Sequence, residues 1–81
     1  MDNTNEQIVP ERFIEARVEQ GLTQMKLSEI SGISRPTISN LEKGLLLSPR
    51  LETVSSIAWV LHKPKEFFYV PVQREFIPTT V

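Results

Sequence analysis

The side chains that could carry chemistry are concentrated in one short stretch near the middle of the chain. Its polar residues fall on the side of a predicted helix that faces away from the apolar residues. They are Arg35, Thr37, Ser39, Asn40 and Lys43. A short polar face of this kind suits entry into the major groove of duplex DNA. The pattern therefore indicates recognition by hydrogen bonds and charge.

Other kinds of chemistry find little support in the sequence. The chain has no cysteine, which excludes a disulfide, a thiolate metal site and a cysteine nucleophile. His62 is the single histidine, and zinc needs several ligands, so we expect a surface or helix-capping histidine. A chain of 81 residues provides one modest core with little room for a catalytic cavity. We expect no enzyme, no metal site and no cofactor.

The polar stretch belongs to a predicted pair of helices joined by a tight turn. The first helix runs from Gln24 to Ser31 after a cap at Thr23. The second runs from Arg35 to Lys43 after a cap at Ser34. Gly32 permits the left-handed backbone that the turn needs. The apolar residues that hold the second helix at a fixed angle are Leu27, Ile33, Ile38 and Leu41. This is a helix-turn-helix arrangement.

Three further helices are predicted around this pair from proline and glycine positions and from apolar residues at helical spacing. Their spans are Glu11–Gln20 after Pro10, Pro49–Leu61 after a cap at Ser48, and Pro64–Phe68. The sequence therefore predicts an all-α fold, a compact five-helix bundle. Residues 10–69 form the predicted domain, residues 1–9 a flexible leader and residues 70–81 an extended tail.

Charge is unevenly distributed along the chain. The formal net charge is −1, which by itself argues mildly against binding to a polyanion. Between Ser34 and Arg50, however, three positive residues and one negative residue leave a local excess of two positive charges. We therefore expect binding to depend more on shape and hydrogen bonds than on bulk charge.

Cellular location is predicted from what the chain lacks. No apolar run approaches the roughly 20 residues that cross a bilayer. The polar and acidic start is unlike a signal peptide, and the absence of cysteine fits a reducing compartment. These features predict a cytoplasmic protein without a membrane partner.

The order and spacing of the markers resemble those of the Xre family, also called the Cro/CI-type helix-turn-helix family, of phage and bacterial repressors. The markers are Arg17, Gly21, Leu22, Thr23, Gln24, Leu27, Gly32, Ile33, Ser34, Thr37, Ile38, Leu41, Glu42, Lys43, Gly44 and Pro49. They lie within a match from Phe13 to Phe68. The resemblance implies a lambda-repressor-like fold and a transcriptional regulator, expected to be a repressor. It also implies a homodimer on a two-fold operator in double-stranded DNA, with half-sites about one helical turn apart.

The resemblance implies roles for individual residues. Base contacts fall at Arg35, Pro36, Thr37 and Asn40, and backbone contacts at Thr23, Gln24, Ser34, Ser39, Lys43 and Arg50. Arg35 is the best-suited base reader, because an arginine can pair with a guanine edge through two hydrogen bonds. Pro36 departs from the usual polar residue, which removes a hydrogen-bonding side chain. It could instead press on a thymine methyl group.

Two charged residues are implied to be structural. Arg17 and Glu42 match a family pair that forms an inward salt bridge between the first and third helices, and both stand next to apolar positions. Gln24 matches a glutamine that contacts a phosphate and braces the recognition helix. Removing one partner of a buried pair costs about 3–5 kcal/mol. Glu42 is therefore interpreted as a structural residue and not as a catalytic acid.

Two groups of apolar residues lie outside the helix-turn-helix unit. Four aromatic residues are expected in the core or at an interface, because they are distant from the recognition helix: Trp59, Phe67, Phe68 and Tyr69. Of the three consecutive leucines at residues 45–47, at least one is expected to pack inward.

Two other functions stay open. The domain could bind protein, as an antitoxin or an adaptor, through residues 45–47 or through the apolar tail, which is also the expected dimerisation element. Alternatively, the chain could be the N-terminal part of a longer repressor. Residues 67–78 resemble the junction to a zinc-peptidase-like domain in some family members, although no HExxH motif is present in this chain.

Overall fold

Four α-helices, one 3-10 helix and a two-stranded sheet make up the part of the chain, residues 6–72, that the computed structural model describes. The α-helices are α1 (Pro10–Glu19), α2 (Gln24–Ser31), α3 (Arg35–Lys43) and α4 (Leu51–Val60). The 3-10 helix is Lys65–Phe68, and the strands are β1 (Glu6–Ile8) and β2 (Tyr69–Pro71).

Local hydrogen bonds and two glycines fix the ends of α2 and α3. Thr23 Oγ1 accepts a hydrogen bond from the backbone N–H three residues later at 3.0 Å, and Ser34 Oγ accepts the equivalent bond at 3.4 Å. Both helices end at a glycine in the left-handed region, with φ of 77° at Gly32 and 79° at Gly44. The predicted bounds of both helices are confirmed, because each signal acts within one turn of the backbone.

The apolar core lies where the four α-helices and the 3-10 helix meet. Its buried side chains are Ile8, Phe13, Ala16, Leu27, Ile38, Leu41, Val54, Ile57, Ala58, Leu61 and Phe68. The rings of Phe13 and Phe68 stack, with centroids 4.4 Å apart and planes 16° from parallel. Since these rings join the first and last helical segments, they close the bundle around the helices between them.

Helix α2 buries a narrow face. Met25 and Ile30 are apolar residues on either side of Leu27 in the sequence, but they are 55% and 54% exposed. The buried side of α2 runs through Leu27 and the half-buried Gln24, Ser28 and Ser31, which follow helical spacing. Met25 and Ile30 lie beside this stripe and face outward.

Helix α4 begins later than predicted. Ser48 and Pro49 were expected to cap and open it, whereas α4 starts at Leu51 and Arg50 occupies the N-cap position without a side-chain hydrogen bond. The fixed φ of proline suits extended backbone as well as the first turn of a helix. The Ser-Pro pair therefore does not distinguish the two, and residues 45–50 form an irregular connection. Leu51, the first residue of α4, is 55% exposed.

The expectation of a fifth α-helix was wrong. Residues 65–68 form a single 3-10 turn in which the Phe67 N–H donates to the Pro64 carbonyl at 3.0 Å. The backbone becomes extended at Tyr69, with φ of −124° and ψ of 151°. The turn cannot lengthen, because the chain after it pairs as β2 with β1. The described fold is therefore four α-helices with a small sheet.

The start of the chain also departs from the predicted leader. Residues 6–8 form β1, which pairs antiparallel with β2 so that Ile8 lies opposite Tyr69 and Glu6 opposite Pro71. Ile8 is buried, and the Val9 N–H donates to the Phe68 carbonyl at 2.9 Å. The rest of the predicted leader, residues 1–5, and most of the predicted tail, residues 73–81, lie outside the described residues. Within residues 6–72, no helix has both the length and the apolar composition that would let it cross a bilayer.

Replacement of Gly32 by alanine tests the turn between α2 and α3. A Cβ added there meets no atom within 4 Å, so its effect comes from the left-handed φ alone. That conformation costs an ordinary residue roughly 1–2 kcal/mol. We expect Gly32→Ala to lower the free energy of unfolding by about this amount in urea denaturation. Gly32→Asn should lose less, because asparagine tolerates the conformation better. Equal losses for the two variants would contradict the backbone explanation.

Candidate nucleic-acid interface

Helix α3 is fixed to α1 by an ion pair on its inner side. Arg17 Nε donates to Glu42 Oε2 at 2.6 Å, and Arg17 Nη2 donates to Glu42 Oε1 at 2.9 Å. The side chains are 16% and 5% exposed, respectively. The hydrogen bond to Glu42 raises the pKa of Arg17, although burial acts in the opposite direction. Two parallel hydrogen bonds fix the orientation of the helices as well as their separation.

Gln24 connects α2 to the same carboxylate. Its Nε2 donates to Glu42 Oε1 at 2.9 Å, while Arg17 Nη1 donates to the Leu22 carbonyl just before α2 at 2.9 Å. The sequence implied that Gln24 braces the recognition helix, but it did not identify Glu42 as the partner. The available signal was the expected inward position of Glu42. The structure therefore joins α1, α2 and α3 through one acidic side chain.

The opposite side of α3 is accessible. Buried residues on the helix are Ile38, Leu41 and Glu42, half-buried residues are Thr37 and Ser39, and exposed residues are Arg35, Pro36, Asn40 and Lys43. The four residues predicted to contact bases, which are Arg35, Pro36, Thr37 and Asn40, thus lie outside the core. They form a ridge along a helix about 13 Å long. We call the surface formed by these four residues and Lys43 the α3 ridge.

Two hydroxyl groups order the first turn of the α3 ridge. Ser34 Oγ and Thr37 Oγ1 lie 2.8 Å apart, at hydrogen-bonding distance. Ser34 thus caps the backbone of α3 and also holds the side chain of Thr37. The sequence predicted the cap but not this second contact, which depends on the rotamers of both residues.

Two of the predicted backbone-contact residues that lie off α3 are exposed at the N-terminal ends of other helices. Thr23 is exposed at the start of α2, and Arg50 is exposed at the start of α4. Lys26, which is not among the predicted contact residues, is also exposed on α2, where it pairs with Glu29 at 3.4 Å. Its charge follows Thr23 by less than one helical turn, which was the signal available in the sequence.

The leucines after α3 divide as expected between core and solvent. Leu46 is half-buried and packs against the core. Leu45 and Leu47 are 70% and 68% exposed. An exposed apolar pair therefore adjoins the C-terminal end of the α3 ridge.

Trp59 is 81% exposed, so it lies outside the core, and the other expected place, an interface, stays a prediction. It borders a shallow concavity between α2 and α4. Phe68 is buried, and Phe67 and Tyr69 pack half-buried against the core. His62 is exposed and adopts a positive φ of 60° just after α4, in agreement with a surface or capping histidine.

Metal binding receives no support from the described residues. Within residues 6–72, no three side chains of His, Cys, Asp or Glu are grouped so that they could hold an ion. The exposed polar residues of the α3 ridge offer hydrogen bonding and charge.

The Helix-turn-helix family (HTH_3) matches residues 13–68. The chain belongs to the Xre-type helix-turn-helix family. The match runs from Phe13 within α1 to the end of the 3-10 helix, so the Arg17–Glu42 network and the whole α3 ridge lie inside this Xre-type domain. No curated protein sequence matches the chain.

Solved structures share the fold of this Xre-type domain. SinR in its complex with SinI matches with a TM-score of 0.70 and 22% identity, over 73% of this chain and 57% of that one. SinR, the master regulator of biofilm formation, in complex with DNA matches with a TM-score of 0.71 and 22% identity, over 73% of this chain and 97% of that one. The restriction-modification controller protein C.AhdI from Aeromonas hydrophila matches with a TM-score of 0.67 and 26% identity, over 72% of this chain and 86% of that one. This chain therefore spans just over half of the SinR chain seen with SinI.

Substitution of Arg17 tests the inner network. Arg17→Met leaves Glu42 buried without its cation, and we expect the free energy of unfolding to fall by about 3 kcal/mol or more in urea denaturation. Lys26→Met is the matched control, because its exposed pair with Glu29 is worth only about 0–1 kcal/mol.

A second variant separates charge from packing. Adding Glu42→Leu to Arg17→Met removes the stranded carboxylate, and we expect it to recover much of the lost stability. Equal losses from Arg17→Met and Lys26→Met would show that the buried pair does not hold α3 in place.

Proposed function

We propose that this domain binds double-stranded DNA through the α3 ridge and acts as a transcriptional repressor. The observation that carries the proposal is the two-sidedness of α3. Ile38, Leu41 and Glu42 anchor its inner side, while its outer side presents accessible polar groups. The fold shared with SinR, which has been solved in complex with DNA, supports this mode of binding.

In the proposed complex, α3 lies in the major groove. The base-contact residues are Arg35, Pro36, Thr37 and Asn40, and the backbone-contact residues are Thr23, Gln24, Ser34, Ser39, Lys43 and Arg50. Gln24 can bind Glu42 and a DNA phosphate at the same time, because its amide has two donor hydrogens and an acceptor oxygen. One of these hydrogens suffices for Glu42. Arg35 is exposed at the first position of α3, where it can reach a guanine edge through two hydrogen bonds.

Two copies on a two-fold operator complete the proposal. A single α3 reads only a few base pairs, so a homodimer whose half-sites lie about 10 bp apart provides the affinity that one domain lacks. The chain after Tyr69 is the proposed dimerisation element. A cytoplasmic location, where DNA is accessible, follows from this function.

Arg35 and Lys43 provide matched tests of DNA binding. Sequences bound by the full chain are selected from a random duplex pool, and affinities are then measured by fluorescence anisotropy. Arg35→Ala is expected to weaken binding to the selected site by about 1–3 kcal/mol and to relax specificity at one position. Lys43→Ala is expected to weaken binding to all sequences and to reduce the salt dependence by about one counterion. Unchanged selection and affinity for Arg35→Ala would contradict the proposal.

Two truncations test the dimerisation element. Ending the chain after Val72 retains β2, whereas ending it after Tyr69 also removes Val70 and Pro71, which pair with β1. We expect both truncated chains to self-associate more weakly than the full chain in sedimentation equilibrium. If only the shorter chain is affected, the sheet and not the tail supports the dimer. Equal dimer affinity for all three chains would exclude both the sheet and the tail as the dimerisation element.

Exposed Leu45 and Leu47 favour a second candidate function, in which the domain binds protein as an antitoxin or adaptor. SinR has been solved in a complex with SinI, so a protein of this fold can have a protein partner. Partner capture by the full chain and by a Leu45→Ser, Leu47→Ser double variant discriminates the two functions. Loss of a partner with unchanged DNA binding favours this candidate. A reading frame that continues past Val81 would instead favour the other alternative, in which this chain is the N-terminal part of a longer repressor.

A further inference from the structure

The first turn of α3 places an apolar group within the otherwise polar α3 ridge. Pro36 is exposed, and it has neither a backbone N–H nor a polar side-chain atom. Arg35 and Asn40, its neighbours on the ridge, can both donate hydrogen bonds. A base edge that faces Pro36 is therefore read by shape and apolar contact.

Thr37, the next residue, has its hydroxyl group already engaged. Thr37 Oγ1 lies 2.8 Å from Ser34 Oγ, and Ser34 Oγ also accepts the Thr37 backbone N–H at 3.4 Å. These contacts hold the Thr37 oxygen toward the cap. Of the two heavy atoms on its Cβ, the methyl carbon is the one without a polar partner. Pro36 and the Thr37 methyl are thus two adjacent apolar groups at the tip of the helix.

We propose that Pro36 and Thr37 form an apolar contact that selects a 5-methyl pyrimidine, thymine in ordinary DNA, next to the base read by Arg35. In the major groove, thymine is marked by its C5 methyl group, and apolar side chains contact that group. The Ser34 hydroxyl is the positioning group, because it fixes the rotamer of Thr37. This inference rests on the proposed function and adds the base class that the first turn of α3 recognises.

Deoxyuridine provides the direct test, because it lacks only the methyl group of thymine. Duplexes selected by the full chain are resynthesised with each thymine replaced singly by deoxyuridine, and affinities are measured. Binding is expected to weaken about fourfold, the effect of one buried carbon, ~0.8 kcal/mol, at one or two thymines beside the position relaxed by Arg35→Ala. Thymines elsewhere in the site serve as internal controls and should be unaffected.

Two substitutions of Thr37 assign the effect. Thr37→Ser keeps the hydroxyl and removes the methyl, so the preference for thymine over uracil should disappear at one position. Thr37→Val keeps a methyl in that place and should retain the preference. Equal affinity for thymine and uracil duplexes, with Arg35→Ala still weakening binding, overturns this inference alone. Binding that does not depend on Arg35 overturns the proposed function itself.

Discussion

The carboxylate of Glu42 is shared by three helices, since it belongs to α3 and accepts hydrogen bonds from Arg17 on α1 and Gln24 on α2. A carboxylate with 5% of its side chain exposed needs such partners, because an unpaired buried charge is strongly destabilising. Hydrogen-bond directions restrict helix movement more than apolar contact does. Glu42 therefore fixes the orientation of α3 together with the apolar residues on the same side of the helix.

The accessible surface depends on that inner network. Because α3 is held from behind by Glu42 and by the core residues Ile38 and Leu41, its outer side stays accessible, with Arg35, Asn40 and Lys43 exposed. The surface is only mildly basic, and the chain has a net charge of −1. In the proposed function, discrimination between DNA sequences has to come from the positions of individual side chains. Rigid positioning of α3 makes such discrimination feasible.

Features of the fold that act within one helical turn could be predicted from the sequence. The caps at Thr23 and Ser34 and the glycines at 32 and 44 determine the bounds of α2 and α3 because each acts on its own backbone. Pairing of β1 with β2 could not be predicted, since strands of three residues show no usable alternation and these two are the first and last elements along the sequence. The sequence could not choose between the core and an interface for Trp59, because helical spacing does not show where neighbouring helices stop.

In the candidate site, too, local features could be predicted from the sequence and contacts between side chains could not. Helical spacing was sufficient to place Arg35, Asn40 and Lys43 on one accessible side. The contacts of Gln24 with Glu42 and of Ser34 with Thr37 join side chains whose rotamers are chosen only in the folded state, so the sequence could not supply them.

The short sheet has a geometric consequence for the whole domain. Antiparallel pairing puts Glu6 opposite Pro71, so the chain enters and leaves the helical bundle at adjacent points. Neighbouring ends of a domain are the arrangement that tolerates circular permutation and insertion into a host protein. A short linker between residues 6 and 71 would join the two ends of the sheet, and new ends would then fall in the irregular connection at residues 45–50.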